Sequence, residues 1–260
     1  MQFWKLTLAY DGTAFHGWQI QPHLPTIQGT LAAALGQITG ETVLPQGSGR
    51  TDTGVHALGQ VASVAFTAPI PPPNLLRALN RALPPSIRVL TAEHVPPVFH
   101  ARHNALRKTY EYRLFPRLTN GEESICSPFV APFAWDCPWP FSLHLANQAA
   151  QHILGEHDFT SFAAVDPDLS NRTSPQLRSN LRTILASSWH RSGDLLLYRV
   201  TGSGFLHHMV RNMVGTFVDV AASRLPLIAI PAILAARDRS AAGPTAPARG
   251  LFLVSVEYPA

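Results

Sequence analysis

The chain has 260 residues, 46% of them hydrophobic and 14% charged, with a formal net charge of +4. That composition is globular, long enough for one large or two small domains, and would bury roughly 70–75% of the surface its unfolded form exposes. It excludes a membrane-spanning helix, since no apolar run reaches the roughly 20 residues needed, and the amino-terminal M-Q-F-W-K-L-T-L-A-Y lacks the unbroken apolar block of a secretory signal; a cytoplasmic protein with no membrane partner is expected.

Trp4, Leu6, Leu8 and Tyr10 alternate with Lys5, Thr7 and Ala9, which predicts a strand over Phe3 to Tyr10. After the turn D-G-T and the run F-H-G-W-Q, the spacing of Ile27, Leu31, Leu35 and Ile38 predicts a helix that Gly40 stops. A glycine-rich loop follows. Gln60 to Phe66 reads as a strand, Leu75 to Leu83 as a short helix opened by P-P-P-N and closed by P-P, and Ile87 to Val95 and Thr109 to Phe115 as strands. From Leu118 to Pro140, turn formers and prolines predict a crossing between two halves. The second half offers a helix from Leu143 to Leu154 and the run G-E-H-D-F-T-S-F. Next comes an aperiodic polar stretch, Asp166 to Asn180, carrying Arg172 and Arg178. Strands over Leu181 to Trp189 and Leu195 to Thr201 flank the hairpin turn R-S-G-D. A long helix spans His207 to Ala222, a short one follows Pro231, and Leu251 to Tyr258 is the last strand.

This order predicts an α+β fold of two ferredoxin-like (split β-α-β) halves, 1–117 and 118–260. The first half would carry the glycine loop and the second would complete a cleft. The joined sheet is expected to be mainly antiparallel, with helices on one face and the cleft on the other.

Chemistry concentrates in the loop G-S-G-R-T-D-T-G-V-H-A-L-G-Q-V, Gly47 to Val61, where four glycines surround Asp52. A phosphate cradle fails: neither G-x-G-x-x-G nor G-K-[ST] is present, and an acid would repel the phosphate. A plain turn with Asp52 bonded to its own backbone remains possible. Against it, Arg50 shares a face with Asp52 in an extended loop, and His56 follows. A carboxylate among cations stays ionised and can act as nucleophile or base.

Apart from Lys5 and Lys108 every Lys/Arg cation is arginine, the residue that forks onto phosphate and stacks on bases. Arginine-favouring codon usage gives the same bias, so both readings stand. Cys126 and Cys137 form no C-x-x-C, which points to reduced apolar groups. The pairs His100/His103 and His207/His208 have no carboxylate or cysteine at ligand spacing along the chain, and no metal is expected. On alternation alone Tyr110 and Tyr112 read as core residues, and Arg211 as a solvated helix flank.

The loop closely resembles the catalytic motif of the tRNA pseudouridine synthase A family. Five more stretches resemble that family in order: Y-D-G-T-A-F-H-G-W-Q (10–19), F-H-A-R-H-N-A-L-R-K-T-Y-E-Y (99–112), G-E-H-D-F-T-S-F (155–162), F-L-H-H-M-V-R-N-M-V-G (205–215) and G-L-F-L-V (250–254). The resemblance implies a cofactor-independent isomerase acting on uridines 38 to 40 of the tRNA anticodon stem-loop, as a homodimer. It implies that Asp52 is the nucleophile and that Arg50 fills the gap left by the flipped base. It implies too that Tyr110 packs on the target uracil and that Arg211 pairs with the catalytic carboxylate. Thr51, His56, His207, Arg172 and Arg178 complete the expected RNA-contacting set. The stretch Asp166 to Asn180 is longer than the family's usual loop. A catalytically silent RNA-binding module on the same scaffold is the alternative.

Overall fold

The computed structural model describes residues 1–119, 121–165 and 179–259. Arg172 and Arg178 lie outside the described residues, as does most of the polar stretch that carries them. The chain forms two compact units, Met1–Lys108 with Phe252–Ala260, and Thr109–Leu251. The sequence reading divides it at 117/118; by compactness the division falls at Lys108/Thr109, and the last strand returns to the first unit. Ladder partners, not sequence neighbours, decide such membership.

In the first unit, β1 (Gln2–Tyr10), α1 (Ile27–Thr39), β2 (Gln46–Gly47), β3 (His56–Phe66), α2 (Pro72–Ala82) and β4 (Ile87–His94) follow in order. β1 pairs antiparallel with β3 (Leu6 opposite Ala62) and with β4 (Leu6 opposite Ala92). β3 also pairs antiparallel with β2, Gly47 opposite Ala62. The spatial order is thus β4-β1-β3-β2, a split β-α-β arrangement. The alternation of β1 buries Trp4, Leu6, Leu8 and Tyr10, and the helices contribute Ile27, Leu31, Leu35, Leu75 and Leu79 to the same unit's core.

Local chemistry sets the boundaries. Thr26 is extended at the start of α1, and its hydroxyl accepts the Gly29 N–H at 3.2 Å. Gly40 ends the helix with φ 73 and donates its N–H to Gly36 O at 2.9 Å. α2 begins at Pro72, earlier than the Leu75 expected, because a proline in the first helical turn gives up only an N–H that has no partner there. β3 begins at His56, earlier than the Gln60 expected. Gly59 masks the strand pattern.

The second unit contains β5 (Arg107–Pro116), the small hairpin of β6 (Leu118–Thr119) and β7 (Glu122–Glu123), β8 (Trp135–Cys137), α3 (Leu143–Gln151), β9 (Gly155–Asp158), β10 (Leu181–Ser192), β11 (Leu195–Gly202), α4 (Met209–Ala221) and α5 (Ala229–Ala236). Its strands run in the order β5-β11-β10-β9. The turn-rich stretch read as a crossing is a folded excursion that returns as β8, parallel to β5, with Leu114 opposite Trp135. α3 packs on α4 and β10. Tyr112, Tyr198, Met213 and Phe217 are fully buried in this unit, Tyr198 meeting Phe217 edge-on at 5.5 Å. Cys137 is buried as well, and burial pushes its thiol up to about 11, as suits an inert apolar group.

The chain then re-enters the first unit as β12 (Leu251–Glu257), parallel to β3 with Phe252 opposite His56. A Cβ at Gly59 would stand 2.4 Å from Val254 O, so only glycine lets β12 lie this close. Five helices and a mainly antiparallel strand set, among the described residues, make the fold α+β. None of those helices is long and apolar enough to cross a membrane.

Candidate active site

The loop that carries Asp52 is the connection from β2 to β3, and polar groups hold it at both ends. At its start, Gln60 makes every hydrogen bond its amide allows. The amide oxygen accepts from Ser48 Oγ at 2.7 Å and Val61 N–H at 3.1 Å, and the amide nitrogen donates to Gly49 O at 3.0 Å and Tyr10 Oη at 3.4 Å. Lys108 Nζ donates to Ser48 O at 2.6 Å. Further along, Thr51 is buried: its hydroxyl meets Tyr10 Oη at 2.9 Å and its carbonyl accepts the Trp18 N–H at 3.0 Å. Burial pushes the Tyr10 phenol up to about 12, against the pull of its bonds to Thr51 and Gln60, so the hydroxyl stays neutral in ordinary conditions.

Asp52 follows at once, half-buried, and its carbonyl accepts the Val55 N–H at 3.1 Å in a turn completed by Gly54 at φ 75. Arg50 is exposed and its Nε donates to Gln19 Oε1 at 3.3 Å. His56 is 1% exposed: its Nδ1 accepts the Gly12 N–H at 3.1 Å beside Asp11 Oδ1 at 3.2 Å, and its ring stacks on Phe252 at 4.6 Å. Thr51 and His56, expected to touch RNA, therefore turn inward and serve the loop's own architecture.

The stretch 10–19 is the bed on which this loop lies. Gly17 has φ 81, and a Cβ there would fall 2.5 Å from Thr51 O; one at Gly12 would fall 2.0 Å from Val55 O. Backbone lies directly on backbone, as glycine alone permits. That explains why two separate glycine-bearing stretches of sequence occur together.

The other expected site residues belong to the second unit. Tyr110, on β5, is buried and meets Phe205 edge-to-face at 5.0 Å. Arg211, on the first turn of α4, is half-buried, and its Nε donates to Ala246 O at 2.8 Å while its own carbonyl accepts the Ala246 N–H at 3.1 Å. Burial raises the neighbouring Tyr112 phenol well above its ordinary value, although Arg211 and Arg249 oppose the rise. His207 Nδ1 lies 3.0 Å from Val165 O, and the next residue, His208, takes φ 58 to start α4.

Two units, each with a constrained constellation of site-type residues, match one protein family. A family model described as tRNA pseudouridine synthase aligns with residues 7–104 and 149–259, most of the chain. The chain belongs to the tRNA pseudouridine synthase family. It is 48% identical over 255 residues to the tRNA pseudouridine synthase A of Solibacter usitatus (strain Ellin6076), with 98% of each chain covered. To the protein of the same name from Moorella thermoacetica it is 45% identical over 256 residues, again with 98% of each covered. One solved chain, from a Cbf5-Nop10-Gar1 complex, aligns at 13% identity over 82% of this chain and 54% of its own with a TM-score of 0.31, too slight a likeness to build on.

As a tRNA pseudouridine synthase the chain is an isomerase of tRNA uridine. The glycine loop and the stretch 10–19 both lie wholly or largely within the first matched segment, and Arg211 within the second. Sequence reasoning missed Tyr10, Gln60 and Lys108 as parts of the loop's scaffold. Their signal was present: a glutamine buried in a strand and a tyrosine at the end of an otherwise apolar strand face both need partners.

Proposed function

We propose that the chain converts uridine to pseudouridine at positions 38–40 of the tRNA anticodon stem-loop, with Asp52 as nucleophile and the target nucleotide flipped out of its stack. The observation that carries this reading is the β2–β3 loop. Tyr10, Trp18, Gln60 and Lys108 hold Ser48, Gly49 and Thr51, the arm that leads into a half-exposed carboxylate, and pre-organisation of that kind suits a reacting group.

The reaction breaks the bond from uracil N1 to ribose C1′ and forms one from C5 to C1′. C5 gives up a proton and N1 gains one. No oxidant, reductant or second substrate enters the balance, so this chain's own residues suffice and no cofactor is required. Extruding the base costs a few kcal/mol; an exposed guanidinium such as that of Arg50 would offset part of this by filling the gap. Tyr110, with Phe205 fixing its ring edge-on, would stack on the uracil, worth roughly 1–3 kcal/mol, and stand where the C5 proton leaves. Arg211, tied to Ala246, would supply the cation that balances the reacting carboxylate. The enzyme would act in the cytoplasm as a homodimer, which doubles a modest net charge of +4 against a polyanionic substrate.

Nucleotide-resolution mapping of pseudouridine in tRNA treated with this protein or with its Asp52→Asn variant tests the reading. New pseudouridine within 38–40 for the wild type and none for the variant is expected. Modification elsewhere would refute the site assignment, and modification by the variant would refute the nucleophile.

A further inference from the structure

We propose that Tyr10 is a positioning residue for the reacting loop, acting through Thr51 and backed by Gln60; the proposal rests on the reading of Asp52 as nucleophile. Tyr10 is the last residue of β1 and shares its inward face with Trp4, Leu6 and Leu8, all fully buried. Phenylalanine would fill such a place without a polar atom to satisfy, whereas a buried hydroxyl is a liability unless bonded. Here the hydroxyl is bonded twice, to Thr51 Oγ1 at 2.9 Å and to Gln60 Nε2 at 3.4 Å.

Both partners lead to the reacting residue. Thr51 directly precedes Asp52, and its other polar contact is the Trp18 N–H on its carbonyl at 3.0 Å. The Tyr10 bond thus fixes the Thr51 side chain while Trp18 fixes its backbone, leaving the following Cα little freedom. Gln60 holds Gly49 and Ser48 by the same amide that touches Tyr10. The phenol thus ties the end of β1 both to the residue that precedes Asp52 and to the amide that holds Ser48 and Gly49. A short side chain such as Asp52 cannot correct a displaced backbone, and reacting groups must be held within about 0.5 Å.

The test is single-turnover release of tritium from C5-labelled uridine in tRNA, run with tRNA affinity and thermal midpoint for each variant. Tyr10→Phe is expected to lower the single-turnover rate by about ten- to a hundredfold while tRNA affinity stays within about threefold. Thr51→Val should lose rate to a similar extent, and the double variant should be no slower than the worse single, because both remove one bond. Thr51→Ser, which keeps the hydroxyl, should recover most of what Thr51→Val loses. A wild-type rate for Tyr10→Phe would overturn the proposal; so would a rate loss matched by an equal loss of tRNA affinity and folded protein. Asp52→Asn is the companion control. If it is inactive and Tyr10→Phe is normal, only the positioning role falls; if it turns over normally, the nucleophile reading falls first.

Discussion

At position 17 a methyl group has nowhere to go. The backbone there has φ 81, and the added carbon would meet Thr51 O at 2.5 Å. Gly17→Ala is expected to destabilise the protein by about 1–3 kcal/mol, seen as a lower urea midpoint, and to slow turnover further because the strain is relieved by moving Thr51. A Gly17→Ala enzyme of normal rate and stability would show the contact to be softer than drawn. Charge at the site is separable from shape in the same way. Asp52→Asn keeps the size of the side chain, so tRNA affinity should change by less than tenfold, roughly 1.4 kcal/mol, while turnover vanishes. Arg211→Ala should cost turnover more than affinity, read as a fall in kcat with a nearly constant KM.

The elements around the site owe their ends to single residues. α1 runs from the Thr26 cap to Gly40, and Thr26→Ala should cost about 1 kcal/mol of stability with no change in the rate of the folded enzyme. A denaturant titration and an activity assay separate the two. β3 has three neighbours: β1 along one edge, with β2 and β12 sharing the other. The loop that carries Asp52 leaves the sheet between those last two short pairings, close to a strand held on both sides. In the second unit, Glu111 is buried on β5 with Arg113 Nε at 3.0 Å and Arg199 at 2.8 Å. This ladder pairs a carboxylate that would be costly alone.

Over the whole molecule, charge sets two responses. Asp11 feels burial that raises its carboxyl, but bonds from the Thr13 hydroxyl and N–H outweigh it and hold the group below its usual range. Thr160 does the same for Asp158, Ser240 for Asp238 and Thr67 for Glu41. Each folded-state value lies below the unfolded one, near 4. Their stabilisation is therefore complete above that pH and is lost as pH falls through the folded values. Thermal midpoints should drop steadily from pH 5 to pH 3, and a flat profile would remove these carboxylates from the stability balance. The second response is to salt. Logarithmic tRNA affinity should fall linearly with the logarithm of salt concentration, and an affinity indifferent to salt would contradict a phosphate-led encounter.

Sequence alone determined the alternating strand at 3–10, the helix capped by Gly40, the α+β class and the family, because periodicity, caps and contiguous motifs are local properties of the chain. It also singled out Asp52, since an acid among glycines is visible without a fold. It misread the start of α2, where a proline gives up only an N–H that has no partner, and the start of β3, where a glycine obeys a neighbour distant in the chain: Gly59 exists for Val254, just as Gly12 exists for Val55. Tertiary structure alone decided that Thr51 and His56 turn inward, that β12 joins the first unit, and that Tyr10 and Gln60 grip the loop. Hydrogen-bond partners 50 and 60 residues apart leave no periodic trace, because what selects them is the need to satisfy buried polar atoms after the strands have paired.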